Sequence, residues 1–330
     1  MREIFAAAFR DRVVHHLMYN FFEPIFEPQF IAQSYACRKG KGSHQSLKDL
    51  KRYLLKLTNN HRDNAYFLHL DVRAFFMNIR KDILFKIVQK HVRNPKLLWL
   101  AETIIFNDPT QNFIKKGNAS LFSKLPPHKS LFGVPNTQGL PIGNLSSQFF
   151  GNVYLNELDH FVKHNLKAKY YLRYVDDFLL LSRDKEELKQ WRNEIIKFLA
   201  DNLQLELNHK KEILQSNDKG INWLGYIVKP HYTLSRRRVV KSLRNKVFLF
   251  SKGLTESYAK KEPPLEVIED MIAVINSYFG YFKHADTFRL RKHITERELK
   301  EISKYLEQKD PHFASLRIKP DYLERAKRAR

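Results

Sequence analysis

Residues 170–182 read YYLRYVDDFLLLS, which sets Asp176 and Asp177 side by side in an otherwise apolar, strand-like run. Adjacent carboxylates repel each other, so holding both against a core is costly unless a cation neutralises them. If 170–174 and 178–182 pair as antiparallel strands, Val175–Asp177 form the connection, where side chains escape the core. Mg²⁺ suits such a place, because it takes hard oxygen ligands, usually one or two carboxylates plus substrate phosphates. For the dipeptide taken alone, an exposed Asp-Asp turn is the commoner arrangement. A third acid shifts the balance. Asp71 ends the apolar run AYFLHLD and is followed by Phe75 and Phe76, whose rings, taken singly, read as core packing. Strand-terminal acids from two segments can meet at one edge of a sheet, and three carboxylates can hold two metals about 4 Å apart for in-line displacement at phosphorus. One ion would then activate an attacking hydroxyl and the other would steady a leaving pyrophosphate.

The surrounding pattern says what must position these acids. FRDRVVHHLMYNFFEPIF predicts an amphipathic helix ended near Pro24. SYACRKGKGSHQSLKDLKRYLLKL passes from a Gly- and Lys-rich loop into a helix capped by Ser43 or Ser46. AYFLHLDVRAFFMNI predicts a buried strand that ends at Asp71 and turns into a short helix. Residues 107–141, rich in Gly, Pro, Asn and Ser, predict mostly loop. Phe150, Tyr154, Leu158 and Phe161 recur at helical spacing. The 170–182 hairpin, a helix over 184–200, an LQLELN strand and a WLGYIV strand after Gly220 complete this part.

From residue 235 the character changes. Residues 231–250 hold six Lys/Arg and no acid. Val240, Leu243, Val247 and Phe250 share one helical face, and Arg237, Lys241 and Arg244 another, so a helix there can pack inward and offer cations to a phosphate backbone. A solvated basic face is the alternative. KEPP at 261–264 predicts a linker between helices, and the tail ERAKRAR is expected to fray.

The chain has 330 residues and 43% hydrophobic content, enough for more than one core. Lys+Arg number 58 against 35 Asp+Glu, a net charge of +23 that points to a polyanionic partner. A single cysteine, Cys37, excludes an intrachain disulfide and fits a reducing compartment. No apolar run nears the roughly 20 residues that span a bilayer, and MREIFAAAFRDR is closed too early by Arg10, Asp11 and Arg12 to read as a signal peptide. A cytoplasmic protein with no membrane partner is expected. His15, His16, His61 and His69 lack metal-ligand spacing and read as surface or packing residues.

The order LDVRAFF, IGNLSSQ, YVDD, LNHKKE, WLGY, with SYACRKGKGSH upstream, resembles the palm and fingers of a reverse transcriptase. The resemblance implies an α+β, right-hand polymerase with an antiparallel-sheet palm and a helical thumb. It divides the chain into fingers over 1–64, a palm over 65–234 with a fingers or loop insertion at about 91–137, and a thumb with basic tail over 235–330. The basic residue that the family carries shortly before the position of Arg2 is absent here, which implies either a misassigned start or fingers truncated at the N-terminus. By the resemblance, Asp71, Asp176 and Asp177 are catalytic metal ligands for two Mg²⁺ ions, with Mn²⁺ a substitute. Phe76, five residues after Asp71, falls at the steric gate. There, an apolar ring excludes the 2′-hydroxyl, the one group that separates the two substrate sugars. Lys211 matches the basic residue that neutralises or protonates pyrophosphate. Arg2, Ile142 and Gly143 fall at nucleotide-binding positions, and Arg38 and Gln148 beside template or primer, with Arg237, Lys241 and Arg244 on the thumb. The implied partners are an RNA template, a DNA or RNA primer and dNTPs.

Most of the family carries QGxxxSP where this chain has Ile142-Gly143-Asn144-Leu145-Ser146-Ser147-Gln148. Ser147 is expected to cap the helix, with Gln148 at the first helical position usually held by Pro. Ile142 removes a hydrogen-bonding side chain beside the nascent base pair, a loss of about 1–2 kcal/mol in discrimination. The IGxxxSQ pattern resembles reverse transcriptases of diversity-generating retroelements. That implies cDNA synthesis error-prone at template adenines, mutagenic retrohoming, and an accessory variability determinant protein as partner. A retron- or group II-like reverse transcriptase and a catalytically impaired palm-fold RNA-binding protein are the alternatives.

Overall fold

In the computed structural model, described over residues 2–258 and 261–328, Asp71 ends a strand that both faces of the fold bury. This strand, β1 (Tyr66–Asp71), follows α1 (Phe9–Phe26) and α2 (Ser43–Leu57). The short α3 (Phe75–Asn78), α4 (Lys81–His91), α5 (Pro95–Phe106), α6 (Ala119–Phe122) and α7 (Leu145–His160) come next. A hairpin of β2 (Tyr170–Tyr174) and β3 (Asp177–Ser182), then α8 (Lys185–Phe198) and β4 (Ile213–Ser216), complete the first of two compact units, Met1–Asn217. Its four strands form one antiparallel sheet in the order β2-β3-β1-β4.

The alternation of the strands explains the packing. Leu68 and Leu70 of β1, Phe178 and Leu180 of β3 and Tyr171 of β2 enter one core with Phe150, Tyr154 and Leu158 of α7 and Leu188 and Ile195 of α8. Side chains alternate across a strand, so His69 and Asp71 belong to the other face. α1 joins this core through Met18, Phe22 and Phe26. The helix ends at Phe26, two residues past Pro24. A proline in the last turn removes one donor only, and Phe26 is fully buried, stacked on Phe22.

Three local expectations give way to tertiary context. Neither Ser43 nor Ser46 caps α2; the cap is Gly42 at φ 121°, whose carbonyl accepts from the Ser46 N–H. LQLELN forms no strand. Gln204 adopts the left-handed conformation at φ 49°, and the segment makes only an isolated bridge between Leu207 and Val72. WLGYIV is two strands, not one. β5 (Ile221–Trp223) and β6 (Tyr226–Val228) are joined by Leu224-Gly225, both at positive φ, as a tight two-residue hairpin requires.

The second unit, Asp218–Arg330, holds that hairpin with β7 (Thr233–Ser235) in a three-stranded sheet. α9 (Arg237–Ser257), α10 (Leu265–Phe282), α11 (Phe288–His293), a ribbon of β8 (Leu306–Gln308) and β9 (Leu316–Ile318), and α12 (Pro320–Arg328) follow. Leu243 and Val247 of α9 pack with Ile268, Ile275 and Phe279 of α10. Residues 262–264 connect these two helices without regular structure. The tail expected to fray is helical through Arg328, and Ala329 and Arg330 lie outside the described residues. Among the described residues, no helix is long and apolar enough to cross a membrane.

Candidate active site

β1 and β3 run antiparallel with Asp71 directly opposite Asp177. Facing residues in such a pair have Cβ atoms about 5 Å apart on the same side of the sheet. Asp176 precedes Asp177 in the β2–β3 turn, and its backbone carbonyl accepts from the Val72 N–H at 3.2 Å. The topology thus brings the three acids to one sheet edge.

The turn is tight. Tyr174 pairs with Asp177, leaving Val175 and Asp176 as its two loop residues, with Val175 at φ 56°. A first loop residue at positive φ is ordinarily glycine in such a hairpin. A β-branched residue held there costs of order 1–3 kcal/mol and persists only where its surroundings enforce it.

Charge follows geometry. Burial, then the charges of Asp71 and Asp177, push the Asp176 carboxyl up to about 6, with Arg2 acting in the opposite sense. Lys211 Nζ donates to both oxygens of Asp71, at 2.7 Å for Oδ2. Burial opposes the ammonium, but the hydrogen bond and charge of Asp71, followed by Asp177 and Asp176, raise Lys211 above the usual lysine value. His69 Nε2 lies 3.6 Å from Asp177 Oδ1. His69, expected as a surface or packing residue, stands two residues before Asp71 and so on the same face of the strand.

Among the described residues, no three His, Cys, Asp or Glu side chains stand as a ready-made metal cluster. Lys211 sits against Asp71 instead. The donor set still fits a divalent cation. Three carboxylates at one edge, one of them with its charge penalised by burial and by the other two, supply hard oxygens and a deficit of positive charge.

The other expected positions fall as follows. Phe76 is half-buried, 5.2 Å from Phe75 ring to ring, and Gly151 of α7 admits both rings: a Cβ there would lie 3.2 Å from Phe75 and 3.4 Å from Phe76. The Ile142 carbonyl accepts from the Phe5 N–H at 2.8 Å. Gly143, at φ 128°, lets residues 4–5 approach, since a Cβ would meet the Phe5 carbonyl at 2.9 Å. α7 begins at Leu145 with Asn144 as its cap, so Ser147 is neither cap nor flank, and Gln148 is the fourth helical residue. Its N–H reaches the Asn144 carbonyl at 3.5 Å, the opening bond of the helix, and its exposed side chain accepts from Cys37 Sγ at 3.3 Å.

Arg38 is turned inward. Its guanidinium donates to Glu27 and to the Ile31 and Ser34 carbonyls, and the side chain is 6% exposed. The three cations expected on one face of α9, Arg237, Lys241 and Arg244, are all exposed, and Arg244 pairs with Glu298 at 2.8 Å.

The pattern of one family, described as reverse transcriptase (RNA-dependent DNA polymerase), matches residues 1–228. The chain belongs to the reverse transcriptase family. The family's RNA-directed DNA polymerases have the α+β, right-hand architecture to which the antiparallel sheet of the first unit conforms. Protein YkfC of Escherichia coli is 24% identical over 290 residues, covering 77% of this chain and 71% of YkfC. The group II intron-encoded protein LtrA of Lactococcus lactis is 22% identical over 291 residues, covering 69% of this chain. The chain spans only 44% of LtrA's length. A solved telomerase from Candida albicans, in complex with a fragment of telomeric RNA, aligns over 96% of this chain and 58% of that one, at 12% identity and a TM-score of 0.49.

Proposed function

We propose that this reverse transcriptase copies an RNA template into cDNA by two-metal nucleotidyl transfer at Asp71, Asp176 and Asp177. The pairing of Asp71 with Asp177 across β1 and β3 carries the reading. Asp71, Asp176 and Asp177 would hold two divalent ions, which would supply activation of a primer 3′-hydroxyl and charge compensation for the departing pyrophosphate. The three carboxylates hold that charge in place. Lys211, now resting on Asp71, is within the same cluster and offers its proton or charge to the pyrophosphate, while Arg2 brings a second cation to the triphosphate side of Asp176. Residues 1–64, 65–234 and 235–330 then act as fingers, palm and thumb, with the exposed Arg237 and Lys241 on the nucleic-acid backbone. Primer extension on RNA with dNTPs and Mg²⁺ tests this reading; a folded protein that binds the duplex yet adds no nucleotide would refute it.

Phe76 is the sugar filter in this scheme. Phe76→Ala should raise the efficiency of ribonucleotide incorporation by about tenfold, the scale of one lost apolar contact in a selective pocket. Unchanged discrimination in rNTP–dNTP competition would leave the ring a packing role beside Gly151.

The IGNLSSQ segment supports a diversity-generating retroelement enzyme, mutagenic at template adenines and working with an accessory variability determinant protein. Ile142 offers no side-chain hydrogen bond where the family's Gln does. Ile142→Gln is expected to lower misincorporation opposite adenine by about tenfold, as read by sequencing cDNA from a defined template. The similarity to LtrA favours, as a second reading, a group II-like enzyme of ordinary fidelity, for which the error spectrum would not depend on this residue.

A further inference from the structure

Arg173 lies in β2, one residue before the YVDD turn, and is fully buried. Its Nε and Nη2 grip the equally buried Asp159 of α7 at 2.7 and 2.6 Å. Tyr171 Oη donates to the same carboxylate at 2.8 Å. The remaining nitrogen, Nη1, donates to Asn152 Oδ1 at 3.2 Å and to the Val175 carbonyl at 3.0 Å. The backbone of Arg173 is tied as well: its N–H donates to the Gln33 carbonyl, and its carbonyl accepts from Tyr35. One guanidinium therefore anchors on a helix and reaches the single turn residue at left-handed φ.

We propose that Arg173, braced by Asp159, is the positioning residue of the catalytic turn, holding Val175 left-handed so that the Asp176 carboxylate faces Asp71. The inference rests on the proposed role of Asp176. A planar guanidinium is suited to the task, because its donors are fixed in direction and two of them are locked by a bidentate carboxylate. Lysine, a flexible point charge, cannot serve Asp159 and the Val175 carbonyl with the same geometry. Without the tether, valine relaxes towards negative φ and carries the neighbouring carboxylate with it. Glycine at 175 occupies positive φ without help, so it makes the tether dispensable.

The test is a rescue. Arg173→Lys should cut primer-extension turnover by about a hundredfold, the scale of an ångström misplacement of a reacting group, and raise the Mg²⁺ concentration for half-maximal activity. Adding Val175→Gly should restore most of both. Arg173→Met with Asp159→Asn removes the buried charges together, so that no lone charge threatens folding; it should show the same loss and the same recovery by Val175→Gly. Wild-type turnover and Mg²⁺ dependence in either folded variant would overturn the proposal, as would a loss that Val175→Gly does not repair. Asp176→Asn is the control: if it stays active, the metal-site reading fails first, whereas an inactive Asp176→Asn beside unaffected Arg173 variants sinks this inference alone.

Discussion

Asp176→Asn should abolish cDNA synthesis while leaving the fold intact. The carboxylate stands at the meeting point of β1 and β3, its backbone carbonyl bonded to Val72 and its charge felt by Asp71, Asp177 and Arg2. Asparagine has the same shape but neither the charge nor the second anionic oxygen that a hard divalent cation needs. Charge stabilisation by a catalytic ion amounts to several kcal/mol, so the loss in turnover should be about a thousandfold or more. Single-nucleotide extension on an RNA template measures it, with circular dichroism confirming the fold. Asp71→Asn should fall as far. Lys211→Ala should fall less, because it removes one contributor to pyrophosphate departure and also frees Asp71.

The same substitution should have the opposite effect on stability. An isolated Asp titrates at 3.8 and Asp176 in the fold at about 6, so the folded protein binds more protons than the unfolded chain between these values. Any such raised acid favours the fold in its protonated form: the stability is present below about pH 4 and lost as pH rises through about 6. The difference corresponds to about 3 kcal/mol. In chelator-treated buffer at neutral pH, Asp176→Asn is therefore expected to melt at a higher temperature than the wild-type chain, with the gap closing as pH is lowered to 4. Mg²⁺ should raise the wild-type melting temperature and leave the variant's unchanged, since only the wild type holds the full set of anionic ligands. Equal melting temperatures across the pH range would show that the acids are not in conflict.

What was legible in the sequence follows from these physical terms. Asp71, Asp176 and Asp177 were visible because acids closing apolar, strand-like runs break local hydrophobic logic, and such breaks mark function. Helix α7 was visible from its spacing, but its start was not: Asn144, without a side-chain cap bond, begins the helix ahead of Ser147, the expected cap. LQLELN has strand composition, but its pairing stops at the Leu207–Val72 bridge, because the chain turns at His209–Lys211 directly after it. By the resemblance alone Arg38 falls beside template or primer, and its type says nothing of its contacts. Its donors go to Glu27 and to backbone carbonyls, a partnership set by the loop over residues 31–38 rather than by residue type. Arg173 is the instructive omission. Within YYLRY it reads as one polar residue in a strand, and its partner Asp159 stands 14 positions away on a helix, so the buried pair exists only once α7 covers the sheet.

The central claim is that Asp71, Asp176 and Asp177 form one site for paired divalent ions. Electron paramagnetic resonance of the protein with an RNA–primer duplex, dNTP and Mn²⁺ tests it most directly. Two bound Mn²⁺ ions should appear spin-coupled at about 4 Å, and Asp71→Asn and Asp176→Asn should each abolish the coupling. Mn²⁺ that binds singly, or in a manner indifferent to both substitutions, would contradict it.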